Sequence, residues 1–157
     1  MKIATATFFG NQFHERKNPF LLVFIVKIIY AGLTGYIVEY FDPSAFNTAL
    51  DREHIAIQLL TSVVLGPIFE TLLFQVLIIE ALRSFKVSDI YSILISSLLF
   101  ALSHSYNISY MIVTFIPGII FALYYIGLRR RRDWFVSAFF VFAVHSLYNL
   151  FVFFTKQ

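Results

Sequence analysis

Apolar residues run along the chain in five blocks, each closed by a polar or charged stretch. The first begins at Asn18-Pro19-Phe20, where Asn offers a helix cap and Pro suits the first helical position, and extends to about Tyr40. Roughly 20 residues at about 1.5 Å each make one bilayer crossing. A polar, acidic loop, EYFDPSAFNTALDREH, follows. The next block, Ile55 to Phe85, is longer than a straight crossing needs, and Gly66-Pro67 interrupts it, so a kink or break is expected there. A block from about Ser88 to His104, a turn at SYN, a block from Ile108 to Leu128 bent at Pro117-Gly118, and a last block from Asp133 to Thr155 complete the pattern. The expected fold is all-α, a polytopic membrane helix bundle of about five spans. Residues 1–18 read as a cytoplasmic N-terminal segment and 19–157 as one integral membrane domain. The stretch MKIATATFFGNQFHERK lacks the uninterrupted apolar centre of a signal peptide, so the first span is expected to stay uncleaved.

Composition agrees with the blocks. The chain is 59% hydrophobic and 13% charged, where soluble domains carry about a quarter charged residues. It has no cysteine, which excludes disulfides, thiolate nucleophiles, Cys-ligated zinc and iron–sulfur clusters. If the N-terminus is inside, Lys2, Arg16, Lys17, Arg83, Lys86 and Arg129–Arg132 share one side, nine of the twelve basic residues. The positive-inside rule therefore predicts a multi-pass protein of the plasma (inner) membrane with its N-terminus inside and its C-terminus outside. The arginine run Arg129–Arg132 is a topology anchor that meets lipid headgroups, and no nucleic-acid partner is implied. Lys27, alone within the first apolar block, is expected to snorkel or to face other helices.

Four polar residues lie deep in the blocks: Glu70, His104, His145 and Asn149. Such groups are expensive in lipid and mark function by default. Counting about 1.5 Å per residue from the basic ends puts Glu70 roughly 22 Å, His104 about 24 Å, His145 about 18 Å and Asn149 about 24 Å into the bilayer, one common slab. His145 and Asn149 are four residues apart and share a helix face; Phe100 and His104 have the same spacing, so the ring can pack beneath the imidazole. A carboxylate and an imidazole in a site of low dielectric can deprotonate a water, and a second imidazole with a carboxamide can stabilise an oxyanion. Glu70, His104 and His145 could equally hold a divalent metal such as zinc. Two axial histidines on a haem would leave Glu70 and Asn149 unexplained. Glu80, nearer the end of its helix, is expected to be a helix-contact or interfacial acid, and Ser103 is not expected to pair with His104, because adjacent helical residues point about 100° apart. No HExxH, GxSxG or phosphate-binding glycine loop occurs.

Glu70, then FALSH at Phe100–His104, then HSLYN at His145–Asn149, resemble the three ordered motifs of the CAAX-protease and bacteriocin-processing (CPBP/Abi) family. These are intramembrane endopeptidases related to the type II CAAX prenyl proteases. The resemblance covers roughly residues 58–154, the motif-bearing core. It implies that Glu70 and His104 activate the attacking water while His145 and Asn149 stabilise the oxyanion, with Phe100 in support. It implies a peptide or membrane-protein substrate with membrane lipids as partners, and it leaves the cofactor open: a site without a metal is expected because only Glu70 remains as a first-motif acid, with zinc on Glu70, His104 and His145 the alternative. The family's first motif is E-E-x-x-x-R, and this chain has Thr71 and Gln75 in place of the second Glu and the Arg. They are expected to replace an intrahelical ion pair with a neutral hydrogen-bonded one, since losing both charges in lipid is far cheaper than losing one. The expected activity is intramembrane peptide hydrolysis; the alternative is an inactive member of the family acting as a membrane binding or immunity protein.

Overall fold

The structure, a computed structural model, describes residues 19–156; the expected cytoplasmic segment, the Asn18 cap and Gln157 lie outside the described residues. Five helices form an up-and-down bundle: α1 (Phe20–Phe41), α2 (Ile55–Ser84), α3 (Asp89–Leu102), α4 (Ile108–Arg129) and α5 (Trp134–Lys156). A short 3-10 turn, Ala49–Arg52, lies in the loop after α1. The described residues contain no strand. Four of the helices are long and apolar enough to cross a membrane, and α3, with 14 residues, is shorter. At about 1.5 Å per residue α3 falls short of a hydrocarbon core about 30 Å thick, and the bundle is completed by the turn that follows it.

Local signals set the helix ends. The His54 ring accepts from the Ala56 N–H at 3.2 Å to start α2, Asn107 Oδ1 accepts from the Tyr110 N–H at 2.9 Å to start α4, and Asp133 Oδ1 accepts from the Val136 N–H at 2.8 Å to start α5. At the end of α2 the Val87 N–H reaches back to the Leu82 carbonyl at 3.0 Å, with Lys86 in the left-handed region at φ 60°. That closure turns the chain within a few residues into α3.

α2 is not broken at Gly66-Pro67. It runs continuously from Ile55 to Ser84, and the irregularity takes the form of two stretches of wide π-helical turns, Leu60–Leu65 and Thr71–Ile78. The reason lies in the backbone donors. The Gly66 N–H bonds to the Thr61 carbonyl, five residues back, which frees the Ser62 carbonyl it would meet in an α-helix. Pro67 has no N–H, so the Val63 carbonyl loses its α-helical donor. Side chains of α5 take both oxygens: Asn149 Nδ2 donates to Ser62 O at 2.7 Å, and Ser146 Oγ donates to Val63 O. Pro117 lies inside an unbroken α4 and strands the Val113 carbonyl in the same way; Tyr30 of α1 donates its hydroxyl to that oxygen at 2.7 Å.

Helix packing is tightest between α3 and α4. A Cβ on Gly118 would meet Ser97 Cα at 3.0 Å and the Phe100 ring at 3.2 Å, so only glycine lets α4 approach the residue that supports His104. Phe100, Phe121, Tyr124, Tyr125, Val141 and Val144 fill the centre. Leu33, Phe69, Leu77, Phe135 and Phe154 stand exposed on the outer faces, the inverse of a soluble protein and the arrangement that lipid requires. At the basic end Glu80 receives Arg129 Nε at 2.7 Å and Nη2 at 3.0 Å, with the Tyr125 hydroxyl donating at 2.9 Å, so Glu80 is a helix-contact acid, as its position predicts.

Candidate active site

Three of the four polar residues singled out by sequence converge. Glu70 sits between two imidazoles: its Oε1 lies 3.9 Å from His104 Nε2 and its Oε2 lies 3.5 Å from His145 Nε2. Side-chain exposure falls from 27% at Glu70 through 15% at His104 to 5% at His145, so the site opens on the glutamate side.

His104 lies one residue past the C-cap of α3, in the turn before α4, rather than inside a span. Its Nδ1 is 2.8 Å from the Phe100 carbonyl oxygen, and the two rings pack with centroids 4.9 Å apart. A carbonyl only accepts, so Nδ1 carries a proton, and in the neutral ring Nε2 is left as the lone pair facing Glu70. Leaving the helix also removes the 100° separation expected between neighbours: Ser103 Oγ comes within 3.2 Å of His104 Nδ1. Ser103 donates its own proton to the Phe100 carbonyl at 2.7 Å, so this contact orients the ring and does not activate the hydroxyl.

His145 is 4% exposed, with its ring stacked on Phe121 at 4.4 Å and edge-on to Phe100 at 6.1 Å. Its Nδ1 is buried without a hydrogen-bond partner. Asn149 stands one turn further along α5, held by its bond to Ser62 of α2. One of its two amide protons is engaged there and the other remains free to donate.

Thr71 and Gln75 do not form the expected hydrogen-bonded pair. Both are buried, and Thr71 Oγ1 and both amide atoms of Gln75 lack partners. A threonine hydroxyl sits one bond from Cβ and lacks the reach of a glutamate across a turn, so swapping the residue types does not preserve the contact. Among the described residues no three His, Cys, Asp or Glu side chains form a group able to hold a metal ion.

Sequence reasoning missed the aromatic wall beside His104. Tyr110 packs edge-on to His104 at 5.4 Å, and Tyr106 packs on Tyr110 at 5.2 Å. Burial pushes the Tyr106 hydroxyl up to about 12. Lys27 is buried and faces the other helices, the second of its two expected positions. A lysine unaccompanied in an apolar block was the available signal.

A family model described as type II CAAX prenyl endopeptidase Rce1-like matches residues 52–151, a stretch that contains Glu70, His104, His145 and Asn149. The chain belongs to this family, a family of CAAX-type membrane proteases. No curated protein and no solved structure matches it.

Proposed function

We propose that the chain is an intramembrane endopeptidase that cleaves a membrane-associated peptide or protein with a water activated by Glu70 and His104. The observation that supports this most is the placement of Glu70 Oε1 and His104 Nε2, an acceptor pair 3.9 Å apart. That distance is too long for a direct hydrogen bond. A water set off the line between them, about 2.8 Å from each, would subtend about 90° and keep one proton for each acceptor.

On attack, the water oxygen bonds to the scissile carbonyl carbon and its proton passes to Glu70. The carbonyl electron pair becomes an oxyanion, which the His145 imidazole and the free amide proton of Asn149 receive. Collapse of the intermediate breaks the C–N bond, and the proton returns from Glu70 to the leaving amine. The order of exposure suits this sequence of events, with water entering past Glu70 and the buried His145 held ready behind the carbonyl.

The test is peptide cleavage by the purified protein in liposomes, with substrates found by comparing the membrane proteome of cells carrying wild type and Glu70→Gln. Glu70→Gln and His104→Ala should each lower kcat by at least about 10³-fold while both variants still fold with wild-type helix content. A chelator should leave the rate unchanged. Cleavage that persists in both folded variants would remove Glu70 and His104 as the activating pair, a cellular phenotype that persists in both without cleavage would favour a binding protein over an enzyme, and a chelator-sensitive rate restored by zinc would replace the water activation by Glu70 and His104.

A further inference from the structure

Position 27 places a lysine between FLLVFIV and IIY in α1, outside the residues that the family model matches. Its side chain is 1% exposed. The ammonium lies 4.3 Å from the centroid of the Phe121 ring and 3.8 Å from that of Tyr148. Phe121 stacks on His145 at 4.4 Å, and Tyr148 follows His145 by three positions on the same side of α5. Lys27 also interacts electrostatically with Glu70 and with His145. Among the described residues no carboxylate comes within 4.0 Å of the ammonium, so this is not a contact ion pair.

A bare cation in the middle of a span is expensive, and the faces of two aromatic rings offset only part of that cost. Negative charge within reach offsets more of it, and Glu70 is the acid whose charge acts on Lys27. We propose that Lys27 is the counter-ion of the site: its ammonium balances the Glu70 carboxylate at rest and the substrate oxyanion during attack. This rests on the peptidase reading above.

The charges balance at each stage. At rest Glu70 is negative, Lys27 positive and both imidazoles neutral. When the water proton moves to Glu70, the negative charge reappears on the former carbonyl oxygen, and Lys27 is still positive. Charge therefore shifts within a neutral site instead of being created in one of low dielectric, where creating it is far more costly. Lys27 touches neither water nor scissile carbonyl in this scheme; it is a positioning residue that acts through the field it imposes.

Lys27→Met, apolar and of similar length, tests this in liposomes. The kcat should fall about 10²-fold with KM changed less than about 3-fold, and Lys27→Arg, which keeps charge and stacks on aromatic faces, should recover at least about a tenth of the wild-type rate. A second measurement needs no turnover: the melting temperatures of Lys27→Met, Glu70→Gln and the double variant. The double variant should melt above the temperature that adding the two single changes predicts, because each single change strands a charge and the double strands none. Additive melting shifts, a Lys27→Met enzyme with wild-type kcat, or an effect on KM alone would each overturn the counter-ion. Coupled melting without any peptide cleavage by the wild type would instead uphold the balance between Lys27 and Glu70 and sink the peptidase reading.

Discussion

At the scale of single residues, backbone carbonyls decide what the site's side chains can do. The Phe100 oxygen takes the Nδ1 proton of His104 and so points the Nε2 lone pair at Glu70. The Ser62 oxygen takes one proton of Asn149 and leaves the other able to donate elsewhere. In the proposed mechanism Asn149 therefore has two duties, and its neighbour Ser146, bonded to Val63, has only the structural one. Ser146→Ala should lower the melting temperature by a few degrees, in line with about 0.6–1.5 kcal/mol for an interhelical hydrogen bond, and leave kcat within about 3-fold of wild type. Asn149→Ala should cost similar stability and also lower kcat by about 10²-fold. Equal loss of kcat in the two variants would reduce Asn149 to a staple. The convergence of Glu70, His104 and His145 was legible in sequence because polar groups in lipid are costly and seek one another. The Asn149 anchor was not, because the carbonyl it holds is free only where α2 shifts to wide turns. The same limit applies at Thr71 and Gln75, where spacing suggested a bond that the reach of threonine does not permit.

At the scale of elements, the two prolines are docking points more than breaks. Each strands a carbonyl, and each stranded oxygen is met by a side chain from another helix: Val63 by Ser146 of α5, Val113 by Tyr30 of α1. Sequence pointed to a kink or break of α2 at Gly66-Pro67; the wide turns lie on either side of it, Leu60–Leu65 and Thr71–Ile78, and sequence offers no means to choose between a break and wide turns. That choice depends on donors from α5, which lie some 80 residues away in the chain and which no local pattern reveals. A comparable tie joins the loop after α1 to the start of α4 beyond the turn that carries His104. Asp42 receives Ser109 Oγ at 2.7 Å and Asn107 Nδ2 at 3.2 Å, and Ser44 Oγ at 2.7 Å on its other oxygen. Hydrogen bonds from Ser44, Ser109 and Asn107 hold the Asp42 carboxyl below its ordinary value of 3.8. A carboxyl lowered on folding contributes stability that is complete above its unfolded value and is lost as the pH falls through the folded one. The wild type should therefore lose melting temperature as the pH drops below 3.8, and Asp42→Ala should lose less over the same interval while starting lower at neutral pH. Parallel melting curves for the two proteins across that window would show that the tie contributes nothing.

At the scale of the whole molecule, the charges at the two ends of the bundle set how the site meets its substrate. Arg83, Lys86 and Arg129–Arg132 lie where α2 and α4 finish, and Glu39, Asp42, Asp51 and Glu53 lie at the opposite end, the end that carries the His104 turn. Basic residues next to spans stay on the cytoplasmic side, because moving them across costs energy and opposes the membrane potential. By that rule the His104 turn is expected toward the outer face, from which water and substrate would reach Glu70. The chain has no cysteine, so single introduced thiols report topology without background. Asn47 and Phe85 are exposed in the loops at opposite ends of α2, which makes Asn47→Cys and Phe85→Cys the natural pair. In intact cells a membrane-impermeant maleimide should label Asn47→Cys and spare Phe85→Cys, with the second labelled only after permeabilisation. The reverse pattern would turn the site toward the cytoplasm and make cytoplasmic, membrane-anchored proteins its substrates. Labelling of both thiols in intact cells would mean a mixed orientation that the basic end is too weak to fix.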